Sequence, residues 1–517
     1  MNFFETCSVA LVGVPLAIPL GFALAATTAR RRAEAVSVAM LAVAVLTCAW
    51  AVFAPAPLAT ALLRVDVVTG LMLPLVCGIG LVIVRYSLTC LEGEPRIDGS
   101  LRWLLFTLSA ATTIVIANNL LIIGVAWTLL SVAVHRLLTF FPDRSAALVA
   151  AHKKFLVSRL ADLSLFAGIA ITQATVGSLR LDELSTWAEA QRALPPSMQV
   201  AAVLVVLAVA LRSAQLPFHG WLTQVMEAPT PVSALLHAGV VNIGGFVLIR
   251  LAPWMARAAP AQALMIVIGL TTAVVASLVM TTRVSIKVAL AWSTIAQMGF
   301  MLVQCGLGAW HLALLHLVAH SLYKAHAFLS AGSVVERWRV QSLREQVRPS
   351  SARVGAAAVA AVVVGAACVV GLDAVGLVAI EHMSTWVLAL LASFSLVPLL
   401  SRQQTSAAFT MRAIAAAGGV AVLLCIEHAS AAALLSRHDA PEDKTAWVIV
   451  GVAFVGLFIA KSAVLQGGRF ARAAYPWLFA GFFLDERFTR WTFRIWPPRL
   501  APRGPRAVAL ESLEVAS

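Results

Sequence analysis

Apolar residues arrive along this chain in long runs separated by short polar stretches, and the runs are of bilayer-crossing length. A membrane-spanning helix needs about 20 apolar residues. Such runs fall near 8–28, 36–60, 67–89, 103–117, 119–141, 155–175, 198–225, 232–253, 260–281, 285–307, 310–335, 354–379, 384–401, 412–436 and 445–466. Segments apolar on every side predict helices buried among other helices. The pattern therefore predicts an all-α polytopic membrane protein with about 13–15 transmembrane helices.

Composition agrees: 61% of the 517 residues are hydrophobic and 12% charged, with a mean hydropathy of +0.90. A net charge of +14 would suit a nucleic-acid binder, but its distribution excludes that class. Basic residues cluster in alternate loops, at Arg30–Arg32, at Arg144 with Lys153 and Lys154, at Arg283, and from Arg337 to Arg353. The stretches between them, such as Arg180 to Arg192, are neutral or mildly acidic. Positive charge favours the cytoplasmic side. The prediction is a bacterial inner-membrane protein with its N-terminus outside, its C-terminus cytoplasmic, and its basic loops against anionic membrane lipids. The seven cysteines stand singly and no CxxC occurs, which argues against zinc, iron–sulfur or disulfide frameworks. No cofactor is expected in this chain, and neither a phosphate-binding glycine motif nor a signal peptide is expected.

One stretch breaks the apolar pattern with chemistry. From Leu207 an apolar helix carries Arg212 to membrane depth and then meets Pro217; a loop follows with Glu227 ahead of Pro229 and Pro231, and a new helix restarts with His237. Proline removes a backbone donor and steers its predecessor away from helix. Broken backbone at membrane depth is tolerated where protein or water satisfies it, and such breaks house ion sites in transporters.

Further charged residues sit inside other runs. Arg159 and Asp162, three apart, share a helix face and can neutralise each other; a structural ion pair and a conducting role both fit. Charges within a span cost about 2.5–3.5 kcal/mol each on insertion scales, so they pair or line a cavity. Lys287 opens one span, and the next holds His311, His316, His320, Lys324 and His326. His316, His320 and Lys324 recur every fourth residue, which makes one stripe covering about 12 Å of depth. A lone histidine in a helix is ordinarily a hydrogen-bonded core residue; three titratable groups in line predict a proton or cation wire. A desolvated amine can release its proton and imidazole titrates near neutrality, whereas a guanidinium does neither. The candidate ion-translocation residues are therefore Lys324, His320, His316, Arg212, His237, Glu227, Lys287, Asp162 and Arg159, with no catalytic residue. The segment from Arg469 to Arg499, rich in arginine and aromatics, fits an interfacial belt or a partner-docking segment equally well.

Four stretches resemble the proton-conducting antiporter-like family, which comprises complex I subunits L, M and N and the large Mrp antiporter subunits. They are Ala214 to Leu222, Met226 to Ala238, Lys287 to Met298 and His316 to Ser333. The resemblance implies two inverted five-helix repeats, each with a discontinuous helix. It divides the chain into N-terminal helices (1–99), a first repeat (100–255), a second repeat (256–405), C-terminal helices (406–466) and a basic aromatic tail (467–517). Within the family, Trp127 to Leu138, Lys153 to Asp162 and His219 to Pro231 look most like the membrane subunit of the DAB inorganic-carbon accumulation complexes. That resemblance implies a DabA-like cytoplasmic partner holding a carbonic-anhydrase-like zinc site. This chain would then couple H+ or Na+ flux to one-way CO2 hydration or bicarbonate uptake. The alternatives are a pumping module of subunit L or Mrp type and a non-conducting anchor. Two departures from subunit L bear on this: its intramembrane glutamate corresponds here to Thr128, and its broken-helix lysine to Arg212. The first half is therefore expected to lack a titrating carboxylate–lysine pair.

Overall fold

In a computed structural model of the protein the described residues are 13, 30–53, 57–334, 350–374, 381–401 and 443–497. They are almost wholly helical. The helices are α1 (Arg30–Phe53), α2 (Val67–Cys90), α3 (Ile97–Ile116), α4 (Leu120–Leu138), α5 (Ser145–Val176), α6 (Leu181–Ala190), α7 (Pro196–Arg212), α8 (Gly220–Gln224), α9 (Thr230–Ala238), α10 (Ile243–Arg250) and α11 (Ala252–Met255). They continue with α12 (Ala259–Met280), α13 (Ile286–Gly306), α14 (Trp310–Leu329), α15 (Ser351–Ala374), α16 (Met383–Leu400), α17 (Lys444–Gln466), α18 (Arg469–Phe479) and α19 (Leu484–Ile495). A two-stranded ribbon, Leu58–Ala59 against Arg64–Val65, precedes α2. Ten spans among the described residues are long and apolar enough to cross a bilayer, one of them being α9 and α10 taken together; α7 and α16 are shorter apolar pieces. The runs near 8–28 and 412–436, and most of the Arg337–Arg353 loop, lie outside the described residues.

Side-chain caps fix several helix starts. Asp66 accepts from the Thr69 amide (2.9 Å) at α2, and Asn119 from the Leu121 amide (2.9 Å) at α4. A cap oxygen satisfies one of the amides that a helix start leaves free. Where α12 crosses α13, a Cβ on Gly269 would lie 2.5 Å from the Gly299 carbonyl oxygen. These two glycines let the backbones touch, as small residues do between membrane helices.

The alternation of helices puts Arg96, Arg144, Arg283 and Lys287 at one end of the bundle, hereafter the basic end. Asp66, Arg180 and Asp182 lie at the other. Helices α18 and α19 fold across the basic end: the Arg283 guanidinium donates to the Leu478 carbonyl (2.8 Å). The aromatic tail is thus two amphipathic helices docked on the bundle, with Phe470, Trp477, Phe479 and Trp491 still exposed.

Asp66 forms a buried pair with Arg250 (2.6 Å), tying the start of α2 to the end of α10. Burial alone would raise the Asp66 pKa, but Arg250 and Arg64 beside it hold the carboxyl well below the usual carboxylate range. Lys153 and Lys154, counted as loop charges, sit within α5, which starts ten residues earlier than the apolar run suggested; their side chains are buried. Sequence hydropathy misplaces the boundary because it assigns polar residues to loops, whereas here other polar groups inside the bundle receive them.

Candidate functional site

The break expected at Pro217 is present. Helix α7 ends at Arg212, Ala214 takes a left-handed backbone (φ 53°), and α8 resumes at Gly220. Polar side chains take up backbone groups the break releases. The Gln215 side-chain amide donates to the Ser213 carbonyl (3.1 Å), and the Leu216 amide donates to Thr272 Oγ1 (3.3 Å). Gly244 of α10 lies against the break, where a Cβ would collide with Ser213 Oγ. A second interruption, which the sequence reading missed, separates α9 from α10: Gly239 leaves helical geometry, and Val240–Asn242 form a single 3-10 turn. Asn242 Nδ2 donates to the Ala238 carbonyl (2.9 Å) and to Ser321 Oγ (2.7 Å), bridging this turn to α14. The detectable signal was Gly239 followed by Asn242 in an otherwise apolar run. Residues 375–380, between α15 and α16, lie outside the described residues.

Arg212 leads into the first of two polar clusters. Its guanidinium donates to Asp162 Oδ1 and lies over the Trp127 ring (4.5 Å to the centroid). Asp162 also pairs with Arg159 (2.8 Å) and accepts from Thr128 Oγ1 (3.0 Å). The Thr128 hydroxyl therefore binds a carboxylate supplied by the neighbouring helix. One turn away, Lys154 Nζ donates to the Ser131 carbonyl (2.6 Å) and to Ser131 Oγ (2.7 Å). A cavity of about 20 Å3 is lined by Trp127, Ser131, Lys154, Ser158 and Arg212, enough for one water molecule. The first half thus contains a buried carboxylate and a buried lysine, each bound to other partners rather than to one another. They are Asp162 and Lys154, both on α5, and Lys154 escaped notice because it was counted as a loop residue.

The second cluster lies on α14 and its neighbours. Lys324, fully buried, donates to Ser293 Oγ (2.8 Å) and to the Leu290 carbonyl (3.2 Å) of α13. His316 and His320 are adjacent on the stripe, with ring centroids 6.0 Å apart, and His316 Nδ1 is 2.8 Å from Gln304 Oε1. His237 reaches the same cluster from α9, stacked on Phe328 (4.2 Å), and interacts electrostatically with Lys324. His320, next to His316 on the stripe, also feels the charges of Lys324 and His237. Helix α14 therefore presents three titratable groups in line, and the second interrupted helix adds a fourth.

Not every candidate joins a cluster. Glu227 lies half-buried at the basic end, and its backbone carbonyl accepts from Arg144 (3.3 Å). Lys287, at the same end, donates to Thr230 Oγ1 (2.9 Å). Arg159 is 35% exposed. Glu227 and Lys287 flank the approach rather than line the buried clusters, whereas Arg159 forms the exposed edge of the first cluster through its pair with Asp162.

A broken helix carrying a buried arginine paired with a buried aspartate, and a buried lysine on a separate helix inside an apolar bundle, fit one class: a transmembrane subunit of antiporter type. Residues 117–348 match the model of the NADH:quinone oxidoreductase/Mrp antiporter transmembrane family. The fold is similar to that of a chain in the Mrp complex from Dietzia sp. DQ12-45-1b (TM-score 0.56, 22% identity, 99% of this chain and 59% of that one). It is also similar to a chain of an archaeal membrane-bound sulfane sulfur reductase (TM-score 0.57, 15% identity, 94% and 99%). In sequence, the chain is 39% identical to the "Probable inorganic carbon transporter subunit DabB" of Hydrogenovibrio crunogenus, over 84% of this chain and 83% of the relative. It is 47% identical to the "Probable inorganic carbon transporter subunit DabB2" of Halothiobacillus neapolitanus, over 54% of this chain and 50% of the relative. NADH-quinone oxidoreductase subunit L of Mycobacterium tuberculosis is 31% identical over 53% of this chain and 43% of its own length. The chain belongs to the DabB family, within the NADH:quinone oxidoreductase/Mrp antiporter group.

Proposed function

We propose that this chain is the cation-conducting membrane subunit of a two-component inorganic-carbon accumulation complex. H+ or Na+ would pass along Lys324, His320 and His316 of the second repeat, with His237 of the first repeat beside them, and past Asp162, Lys154 and Arg212 in the first. The chain itself carries no catalytic step. A zinc-binding, DabA-like subunit at the basic end would hydrate CO2 or take up bicarbonate, and the cation gradient would make that step one-way. The basic end would face the cytoplasm of a bacterial inner membrane, since positive charge is retained there. The observation that carries this reading is Lys324, buried in a membrane helix with Ser293 as its hydrogen-bond partner and His237 and His320 within electrostatic reach. Such placement is costly and suits a proton or cation relay. The exchange of glutamate for Thr128 and of lysine for Arg212 argues against a subunit L role.

The test is labelled-bicarbonate uptake by cells that express this chain with its partner and lack other uptake systems. Uptake is expected to collapse when an uncoupler or ionophore dissipates the driving gradient. Undiminished uptake after both the proton and the sodium gradients have been abolished contradicts the reading.

A further inference from the structure

The C-terminal helix α19 reaches into the bundle. Lys153, fully buried on α5, donates to both carboxylate oxygens of Asp485 (3.0 and 2.8 Å), in the first turn of α19. Gln224 Nε2 lies 3.4 Å from Asp485 Oδ2. The carboxylate sits against Gly220, the first residue after the break, where any Cβ would collide with it. At the other end of α19, Trp496 stacks on His152 (4.0 Å between rings, 9° between planes), and its carbonyl lies 3.1 Å from His152 Nδ1. Phe488 packs edge-on against Phe218 of the break (5.5 Å). The turn that delivers α19 holds Phe482 and Phe483 in left-handed backbone (φ 56° and 55°), a conformation that bulky L residues adopt only when their surroundings impose it. The Asp485 side chain keeps 27% exposure while Lys153 has none. Asp485 thus stands between solvent and the buried cations of α5.

We propose that Asp485 is the exchange carboxylate at the mouth of the first-half ion path, where an arriving cation and Lys153 compete for one negative charge. A proton from solution adds to a carboxylate oxygen, or Na+ displaces the ammonium from it. The Lys153 hydrogen bonds to Asp485 then break, and Lys153, still protonated, becomes free to move relative to the Lys154–Ser131 group. No electron changes hands, and return of the cation to solution restores the pair. The charged and titratable groups of the packed elements that act on Asp485 are Lys153 on α5 and His219 in the break. A buried lysine with one counter-charge is strongly destabilised when that charge is removed, so occupancy of Asp485 by a cation is felt in α5. Gly220 is the positioning residue, since it leaves room for the carboxylate beside the break.

The inference rests on the cation-conducting reading above, and its test separates the two. Full-length variants are expressed with the partner, and labelled-bicarbonate uptake per molecule in the membrane is measured across external pH and Na+ concentration. Asp485→Asn should lower uptake at least tenfold and flatten its cation dependence. Gly220→Ala, which leaves every charge in place but wedges the carboxylate out, should do the same. Lys153→Gln should shift the half-saturating cation concentration the other way, at least tenfold lower, because the competitor is gone. A structural role for the pair produces no such opposed shifts. Wild-type uptake and cation dependence in Asp485→Asn and Gly220→Ala, alongside an inactive Lys324→Ala, overturn this inference and leave the conducting reading standing. A fully active Lys324→Ala overturns the conducting reading itself. If Asp485→Asn fails to reach the membrane, the shift in Lys153→Gln decides.

Discussion

Replacing Asp162 by asparagine should destabilise the fold more than any other isosteric change in the first cluster. The carboxylate is the sole acid among the described residues to pair with Arg212, whose side chain is 5% exposed, and it also pairs with Arg159, which is 35% exposed. Loss of the exposed partner's contact is worth roughly 0–1 kcal/mol, because solvent screens it. Stranding the buried guanidinium costs about 3–5 kcal/mol, consistent with insertion costs of about 2.5–3.5 kcal/mol for an unpaired charge in a span. The Trp127 ring beneath Arg212 offsets about 0.5–2 kcal/mol of this. A net loss of about 3 kcal/mol lowers the folded-to-unfolded ratio by roughly a hundredfold, at 1.4 kcal/mol per factor of ten. The assay is reversible denaturation of the purified chain in mixed micelles, read on Asp162→Asn, Arg212→Leu and the double variant. The double variant should recover much of the loss, because no charge is then stranded. A loss below about 1 kcal/mol in Asp162→Asn, or strict additivity in the double variant, refutes the assigned pairing.

Three further outcomes are expected. Arg212→Lys should retain much of the uptake, because this site needs a fixed positive charge near Asp162, and uptake per molecule measures it. Asp66→Asn should cost about 3–5 kcal/mol by stranding Arg250. Since the folded carboxyl is held low, that difference is full above the unfolded value of 3.8 and shrinks as pH falls below it, as paired stability curves will show. Gly269→Ala should cost about 1–3 kcal/mol through overpacking where α12 meets α13, read as a lower melting temperature without altered cation dependence.

The sequence made the bundle legible because bilayer spans announce themselves by length and hydropathy, and Pro217 marked the first break through its missing donor. The stripe of His316, His320 and Lys324 was visible from four-residue spacing alone. What escaped depends on contacts between distant segments. Asp66 reads as a loop acid until Arg250, far along the chain, is folded against it. Lys153 and Lys154 read as loop cations until Asp485 and Ser131 are seen to receive them. Thr128 reads as a missing acid until Asp162 arrives from the next helix. For the charged residues local hydropathy assigned the side chain to water, and a partner distant in sequence kept it in the bundle. The break at Gly239 was hidden differently, because glycine and asparagine interrupt a helix less emphatically than proline.

The central claim is that Lys324 takes up and releases a proton as the cation passes. Lys324→Arg tests it most directly, because arginine keeps the positive charge but does not give up its proton. Labelled-bicarbonate uptake should fall at least tenfold, nearly as far as in Lys324→Ala, with membrane abundance and partner binding unchanged. Full uptake in Lys324→Arg contradicts a deprotonation cycle at this residue.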